Sequence, residues 1–358
     1  MSEENPIYDP PDIQVLRGLE AVRKRPGMYV GETNFEGIEH IVYELVANVV
    51  DQFLAGQASL VKVLVENDTI TVIDDGEGLP FDRESPDKKM SLAEHMLESL
   101  HCGPTFDDHN PHIHIGQFGI GLGPCNALCL SMRIRSWREG ALWSLEYCRG
   151  EKVEPPKLVK EGIGRGTIIA LEVDPFIFSH IKPRHCALKK KLFETAHLIP
   201  WFKIEFNKEV YYSKGGLSDL AYFYNQLPYG ESCDQPFRFH QRSENWEIQA
   251  AAYGQKFRNA DWEMFFTDTT MRSWVNGTPT VHHGSHVSGF QKALFEVEWI
   301  PATLLIHVVT YNPKFSGRTR DKLVNAELKH KVYQSLLEEL QSYVKMVFSN
   351  FEEHPLNH

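Results

Sequence analysis

No run of about 18 apolar residues, the length a membrane-spanning helix needs, occurs anywhere in the 358 residues. The opening stretch MSEENPIYDPP lacks the basic start and apolar segment of a secretory signal, so the expected location is cytoplasmic, with no membrane partner. Six cysteines (Cys102, Cys125, Cys129, Cys148, Cys186 and Cys233) form no C-x-x-C pair. Their irregular spacing argues against a disulfide framework and against zinc held by thiolates. Positive charge is in short supply: 37 Lys+Arg face 48 Asp+Glu, a net charge of −11. Such a surface does not draw in a phosphate backbone by bulk charge, and contact with DNA would need a local basic groove. Internal repeats, low-complexity tracts and blocks of like charge are also missing, which sets aside solenoids and long disordered tails.

What is present reads as an α+β chain long enough for two or three domains. Residues 12–30 begin amphipathic at Ile13, Leu16, Leu19 and Val22 and stop at Arg-Lys-Arg-Pro-Gly, a short helix and a loop. Gly37–Leu54 is expected to be a longer helix burying Ile38, Ile41, Val42, Leu45, Val49 and Val50. Two β-branched runs, Val61–Val65 and Thr69–Ile73, flank Asn67-Asp68 as a hairpin or as neighbouring strands. Helical patterns follow near Ser91–Leu100 and at Pro124–Leu130, on either side of a glycine-, histidine- and proline-rich loop. Strands are expected at Met132–Trp137, Leu142–Tyr147 and Thr167–Val173. A second α+β segment starts near Gly215–Leu220 and closes with a helix over Ala326–Phe348, which puts a domain boundary near residue 220. Tryptophans such as Trp201, Trp246 and Trp262 read as core or interface residues.

Three stretches carry chemistry. On the 37–54 helix, His40, Glu44, Asn48 and Asp51 follow one another at spacings of 4, 4 and 3, and so share one face. Such a face can be an ordinary solvated one. It can also hold a base (Glu44), its orienting imidazole (His40) and an oxygen ligand for Mg2+ (Asn48). The second stretch is Asp74-Asp75-Gly76-Glu77-Gly78-Leu79-Pro80, at the end of a β-branched strand. There the glycines let a ligand approach the backbone, and Asp74 can accept a hydrogen bond from an exocyclic amine of the kind adenine offers. A plain acidic turn is the other reading. The third, Gly116-Gln117-Phe118-Gly119-Ile120-Gly121-Leu122-Gly123, runs into a helix and offers backbone amides to phosphate. It is neither a Rossmann fingerprint nor a P-loop, because no strand immediately precedes it and no Gly-Lys-Ser/Thr follows.

In this order and spacing the three stretches resemble the Bergerat-fold ATPases of the GHKL superfamily. The resemblance tightens at Val15–Val30, Glu44–Asn48, Phe106–Asp108, Asn126–Leu128 and Pro313–Val324, which are similar to the ATPase and transducer domains of gyrase B and topoisomerase IV B subunits. It implies a GHKL ATPase domain over residues 1–220, an α/β sandwich with an N-terminal dimerisation arm, and a transducer domain of the ribosomal-S5-like fold over 221–358. It further implies ATP and Mg2+ as cofactors and a homodimer formed on ATP binding. Carried over by residue, Glu44 is the general base, His40 its partner and Asn48 the magnesium ligand. Asp74 recognises adenine with Gly78 and Thr167 near it, and Asp51 and Pro80 flank the nucleotide. Residues Gly116, Gln117, Phe118, Gly119, Ile120 and Gly121 form the lid over the phosphates. Tyr8 reaches the partner protomer's nucleotide, and Arg318 and Arg320 stand where the family has a glutamine and the lysine that meets the γ-phosphate.

Departures from the family pattern are expected to matter. Arg320 keeps the charge of that lysine with another geometry. Gln52 and Glu77 stand in place of an ion pair beside the adenine, which leaves Glu77 to face solvent or another ligand, and Thr105 replaces a lysine. The lid reads closer to the chaperone branch than to gyrase. No acidic TOPRIM segment follows the last helix, so an ATPase that is not a topoisomerase on its own is expected. Other readings are a non-catalytic nucleotide-binding module or decoy acting on a gyrase-like partner, the ATPase subunit of a split type II topoisomerase, and phosphotransfer to another acceptor. His101, His109, His112 and His114 with Cys102, and separately His282, His283 and His286, are weaker metal candidates for which structural or solvated roles are favoured. Arg23-Lys24-Arg25 reads first as a structural turn and second as a phosphate contact.

Overall fold

The computed structural model describes residues 18–100, 121–225, 235–254, 269–311, 313–317 and 320–348. Tyr8, Gly116, Gln117, Phe118, Gly119, Ile120, Arg318, Trp262 and the histidines at 101, 109, 112 and 114 lie outside them. The described chain forms two compact units, one comprising 18–46, 63–100 and 121–185, the other 47–62 and the described residues from 186 onward.

The first unit opens with α1 (Leu19–Lys24) and α2 (Gly27–Val30). Arg23 serves structure here: its guanidinium donates to the Ala127 carbonyl at 2.7 Å and to Asp174 Oδ2 at 2.6 Å. Arg149 donates to the same fully buried carboxylate at 3.0 Å. Helix α3 (Phe35–Leu54) starts beside Asn34, whose Oδ1 accepts from the Glu36 amide, and it buries all six apolar positions expected of it. Strands β1 (Leu60–Glu66) and β2 (Thr69–Asp74) are sheet neighbours joined by a turn in which Asn67 takes φ 52°. Helix α4 (Leu92–Glu98) is held by a capping box between Ser91 and Glu94.

The helix expected over 124–130 is α5 (Leu122–Ala127) and ends early, because Cys129 already belongs to β3 (Cys129–Arg138). After β4 (Ala141–Cys148) comes a strand the sequence did not announce, β5 (Glu151–Glu161), followed by β6 (Thr167–Val173). Among the described residues one sheet has the order β5-β4-β3-β6-β2-β1-β7-β8, in which β7 is Lys203–Phe206 and β8 is Glu209–Tyr211. Between β6 and β7 lies helix α6 (His185–Leu198).

The second unit continues with α7 (Leu217–Asn225), β9 (Phe237–Arg242), β10 (Trp246–Tyr253), β11 (Thr270–Val275), β12 (Thr278–Pro279), α8 (Ser285–Glu296), β13 (Thr303–Thr310) and α9 (Ala326–Phe348). The sheet order is β12-β11-β13-β10-β9, parallel only between β11 and β13. Alternation divides its faces: Ile248, Ala250 and Ala252 with Leu304, Ile306 and Val308 turn inward onto α8 and α9. The two helices meet at Gly289, where a Cβ would stand 2.5 Å from the Lys329 carbonyl oxygen and 3.0 Å from Val332 Cβ. Among the described residues no helix is long and apolar enough to cross a membrane.

The Gly289 crossing gives a test in which two effects oppose. In an open helix, alanine in place of glycine adds about 1 kcal/mol of stability. Here the new methyl collides with backbone, and overpacking of this kind costs about 1–3 kcal/mol. Gly289→Ala is therefore expected to lower the urea midpoint of the transition that exposes the second unit, and a raised midpoint would show that the helices part without penalty.

Candidate active site

Helix α3 places a carboxylate where water scarcely reaches. Glu44 is 4% exposed, while His40, one turn earlier, and Asn48, one turn later, are partly exposed on the same face. His40 Nε2 stands 3.5 Å from Glu44 Oε1. A buried carboxylate persists in ionised form only with a charged or hydrogen-bonding partner, and the imidazole at i−4 lies where it opposes that charge when protonated. Cys125 of α5 senses the same charge. Burial first, and then the negative field of Glu44, push its thiol well above the usual thiol range, so it stays protonated. Asp51, another turn on, is partly buried on the same helix.

Asp74 closes β2, which pairs antiparallel with β6 from Ile70↔Leu171 to Ile73↔Ile168. Its Oδ1 accepts the Gly76 amide at 2.8 Å and the Thr167 amide at 3.1 Å. Its Oδ2 has no partner among the described residues. Burial raises the carboxyl to about 6 against the pull of those two amides, and the charge of Asp75 raises it further. Thr167, 4% exposed, pairs its hydroxyl with Ser136 Oγ at 3.1 Å, and the same Oγ accepts the Leu79 amide at 2.7 Å. The 74–79 turn is thus stitched to β3 and β6. Gly78 has φ 81°, and a Cβ there would lie 1.8 Å from the Trp137 carbonyl oxygen, so no other residue fits. Pro80 follows, its carbonyl accepting the Ala93 amide of α4 at 3.3 Å.

Glu77 is exposed but also has a partner. Arg138, 10% exposed, donates from Nη1 to Glu77 Oε2 at 3.3 Å and from Nε to Asp82 Oδ1 at 2.8 Å. Gly121 heads α5 with φ 64°, and Arg320, φ 59°, places its guanidinium carbon 5.9 Å from the Phe315 ring centroid in the second unit. The first unit therefore contains the His40–Glu44 pair, the cluster of Asp74, Gly78 and Thr167 with Pro80 after it, and Gly121 at the head of α5, while α3 carries Asn48 and Asp51 onward.

Sequence reasoning passed over Ser136. The signal was present: with Met132 and Ile134 it occupies the buried phase of β3, where a hydroxyl is unusual. Among the described residues no group of three or more His, Cys, Asp and Glu could hold a metal alone. The donor set suits magnesium nonetheless, since that cation takes one or two protein oxygens and completes its shell with phosphate and water. His283 and His286 sit instead in a hydroxyl network, His283 Nδ1 2.9 Å from Ser273 Oγ and His286 Nε2 3.3 Å from Thr280 Oγ1.

The Asp74 environment is directly measurable. A carbon-detected NMR titration of its carboxyl is expected to give a midpoint near 6. A midpoint at the ordinary aspartate value would contradict the burial that raises it.

No protein-family model matches the chain. The DNA gyrase B protein of Clostridium acetobutylicum is 31% identical over 374 residues, covering 96% of this chain and 57% of that protein. Its counterpart in Thermotoga maritima is 32% identical over 371 residues, covering 93% and 56% respectively. The chain thus spans a little over half the length of these curated relatives. Among solved structures, the topoisomerase IV ATP binding domain of Francisella tularensis, in complex with a small-molecule inhibitor, superposes with a TM-score of 0.72. It is 26% identical over 93% of both chains. The chain is a homologue of the DNA gyrase B and topoisomerase IV B proteins over about half of their length, and it has the GHKL fold.

Proposed function

We propose that this chain binds ATP with magnesium and hydrolyses it to ADP and phosphate, as a cytoplasmic, gyrase-B-like ATPase that dimerises when the nucleotide is bound. Residues 1–220 form its ATPase domain and 221–358 its transducer. The observation that carries the reading is Glu44, a carboxylate 4% exposed and 3.5 Å from the imidazole of His40. In that setting Glu44 takes the proton of the attacking water while His40 holds it in line and balances its charge. Asn48, a turn further on, offers its carboxamide oxygen to Mg2+, which when bound neutralises charge on the phosphates.

Asp74 supports the nucleotide half of the proposal. With Oδ1 fixed by two backbone amides, its open Oδ2 is the acceptor an adenine amine requires. Gly78 keeps the backbone low there, Thr167 adds a hydroxyl, and Asp51 and Pro80 border the base. The lid Gly116, Gln117, Phe118, Gly119, Ile120 and Gly121 lies over the phosphates, Arg320 meets the γ-phosphate, Arg318 borders the nucleotide, and Tyr8 reaches across the dimer. The engagement of Arg138 by Glu77 and Asp82 means that a ligand seeking that guanidinium has to displace two carboxylates. Action on DNA or on a gyrase-like partner is a further part of the proposal.

Two measurements test the site. ATP turnover per protomer is expected to rise with protein concentration, and Glu44→Ala to lower it by about 10²–10⁴-fold, the scale of general-base catalysis, while ADP still binds. Parental turnover in the mutant would defeat the assignment, and no turnover in either protein would favour a nucleotide-binding module without catalysis. Because Asp74 must be ionised to accept from adenine and titrates about 6 when unliganded, ADP affinity is expected to weaken as pH falls below 6. Asp74→Asn should lose that component of the pH dependence together with most of the affinity; an identical pH profile in the mutant would remove Asp74 from adenine recognition.

A further inference from the structure

A cavity of about 490 Å³ opens within the second unit, between the 198–218 segment, the C-terminal end of α3 and one face of the five-stranded sheet. Small-molecule sites occupy roughly 300–1,000 Å³ and are lined mainly by apolar groups with a few placed polar ones. This one follows that pattern, with Phe53, Leu198, Pro200 and Trp201 among its walls. Trp201, expected in a core or an interface, is not in the core: it is 57% exposed, with φ 72° and the Lys214 ammonium 5.3 Å from its ring.

The sheet face on the cavity is the one turned away from α8 and α9. Register aligns His240, Gln249 and His307 in one row across β9, β10 and β13, and Arg238 stands in the next outward row. His307 is fully buried. Its Nε2 accepts the Gly277 amide at 3.0 Å, and burial lowers its pKa to about 4, so at neutral pH the ring carries its single hydrogen on Nδ1. That Nδ1 has no partner among the described residues. A buried donor without an acceptor costs more than a made hydrogen bond gains, and its presence needs a reason.

The acid of the cavity is already matched. Glu247, the one acid among the lining residues, takes His240 Nε2 at 2.9 Å and Gln249 Nε2 at 2.7 Å, with Arg242 at 3.8 Å. Arg238 is exposed and makes no ion pair or hydrogen bond among the described residues. With the Lys214 ammonium on the same lining engaged by the Trp201 ring, what remains is the Arg238 guanidinium and one neutral N–H, both seeking an acceptor, beside apolar walls. Strand β10 separates them by two sheet spacings, about 10 Å, which an arginine side chain and a bridging carboxylate together can span.

We propose that this cavity is a binding site for a small monocarboxylate with a flat apolar body, its acid group taken by the Nδ1–H of His307 and the guanidinium of Arg238, its body lying against Phe53, Pro200 and Trp201. The site is separate from the residues assigned to the nucleotide.

The test uses the full chain with 2-naphthoate and its neutral isostere 2-naphthamide as probes in isothermal titration calorimetry. Naphthoate is expected to bind at least about tenfold more tightly than the amide, the scale of one charge-assisted hydrogen bond. Arg238→Gln, a change at an exposed side chain, should abolish that preference while leaving the melting temperature and the affinity for the amide unchanged. In nitrogen-edited NMR the His307 Nδ1–H proton should move downfield on addition of naphthoate. No heat up to the solubility limit, equal affinity for the two probes, an unchanged preference in Arg238→Gln, or an Nδ1–H resonance indifferent to naphthoate and therefore served by water alone would each overturn the proposal.

Discussion

A carboxylate held in the middle of a helix at 4% exposure has to be compensated on the spot, and Glu44 dictates much of what surrounds it. Taking such a charge out of water costs several kcal/mol even after relaxation. Distant surface cations recover little of that across high dielectric. On the same helix residues four apart lie one above the other, and His40 occupies that place, its Nε2 3.5 Å from Glu44 Oε1. The apolar residues of α3 take the remaining positions and fix the helix against its neighbours, which keeps the pair in register. Cys125 completes the setting by remaining a thiol, so no second negative charge forms beside the first.

Asp74 meets the same problem by another route. A strand end offers no i−4 neighbour, so the backbone supplies the donors, one from the turn that follows and one from β6. This is possible because Gly78 and Gly166 let the chain come close to β3 and to Asp74 without Cβ atoms in the way. The solution satisfies only one carboxylate oxygen. The first unit thus presents one acid whose partner is a side chain and another whose second oxygen is open, a division that matches a proton-transfer role for Glu44 and a recognition role for Asp74.

Much of this was legible in the sequence because it is local. Period-3.6 apolar residues delimited α3 closely and α9 at both ends, β-branched runs delimited β1, β2, β3, β4 and β6, and the polar line on α3 stood out by spacing alone. What escaped was of two kinds. Strand β5 carries Pro155 and Pro156 and many charges, and only its position at the sheet edge lets a segment with missing donors pair at all. Helix α6 was missed for its weak apolar stripe, interrupted by Lys189, Lys190 and Lys191. The second kind is pairing at long range. Glu77 meets Arg138 across 61 residues of chain, and nothing near either residue announces it. The tautomer of His307 depends likewise on an amide thirty residues away.

The second unit shows how alternation turns a core requirement into a chemical surface. Ile248, Ala250 and Ala252 must face α8 and α9, so Glu247, Gln249 and Ala251 are forced to the opposite side, and pairing carries Arg238, His240 and Arg242 there with them. The parallel pairing of β11 with β13 adds Arg272, whose guanidinium lies 5.3 Å from the Tyr224 ring of α7. Three arginines against one glutamate on these rows make a locally cationic face in a chain whose net charge is −11. Composition averages such a patch away, yet it follows from the period of the strands once the core face is fixed.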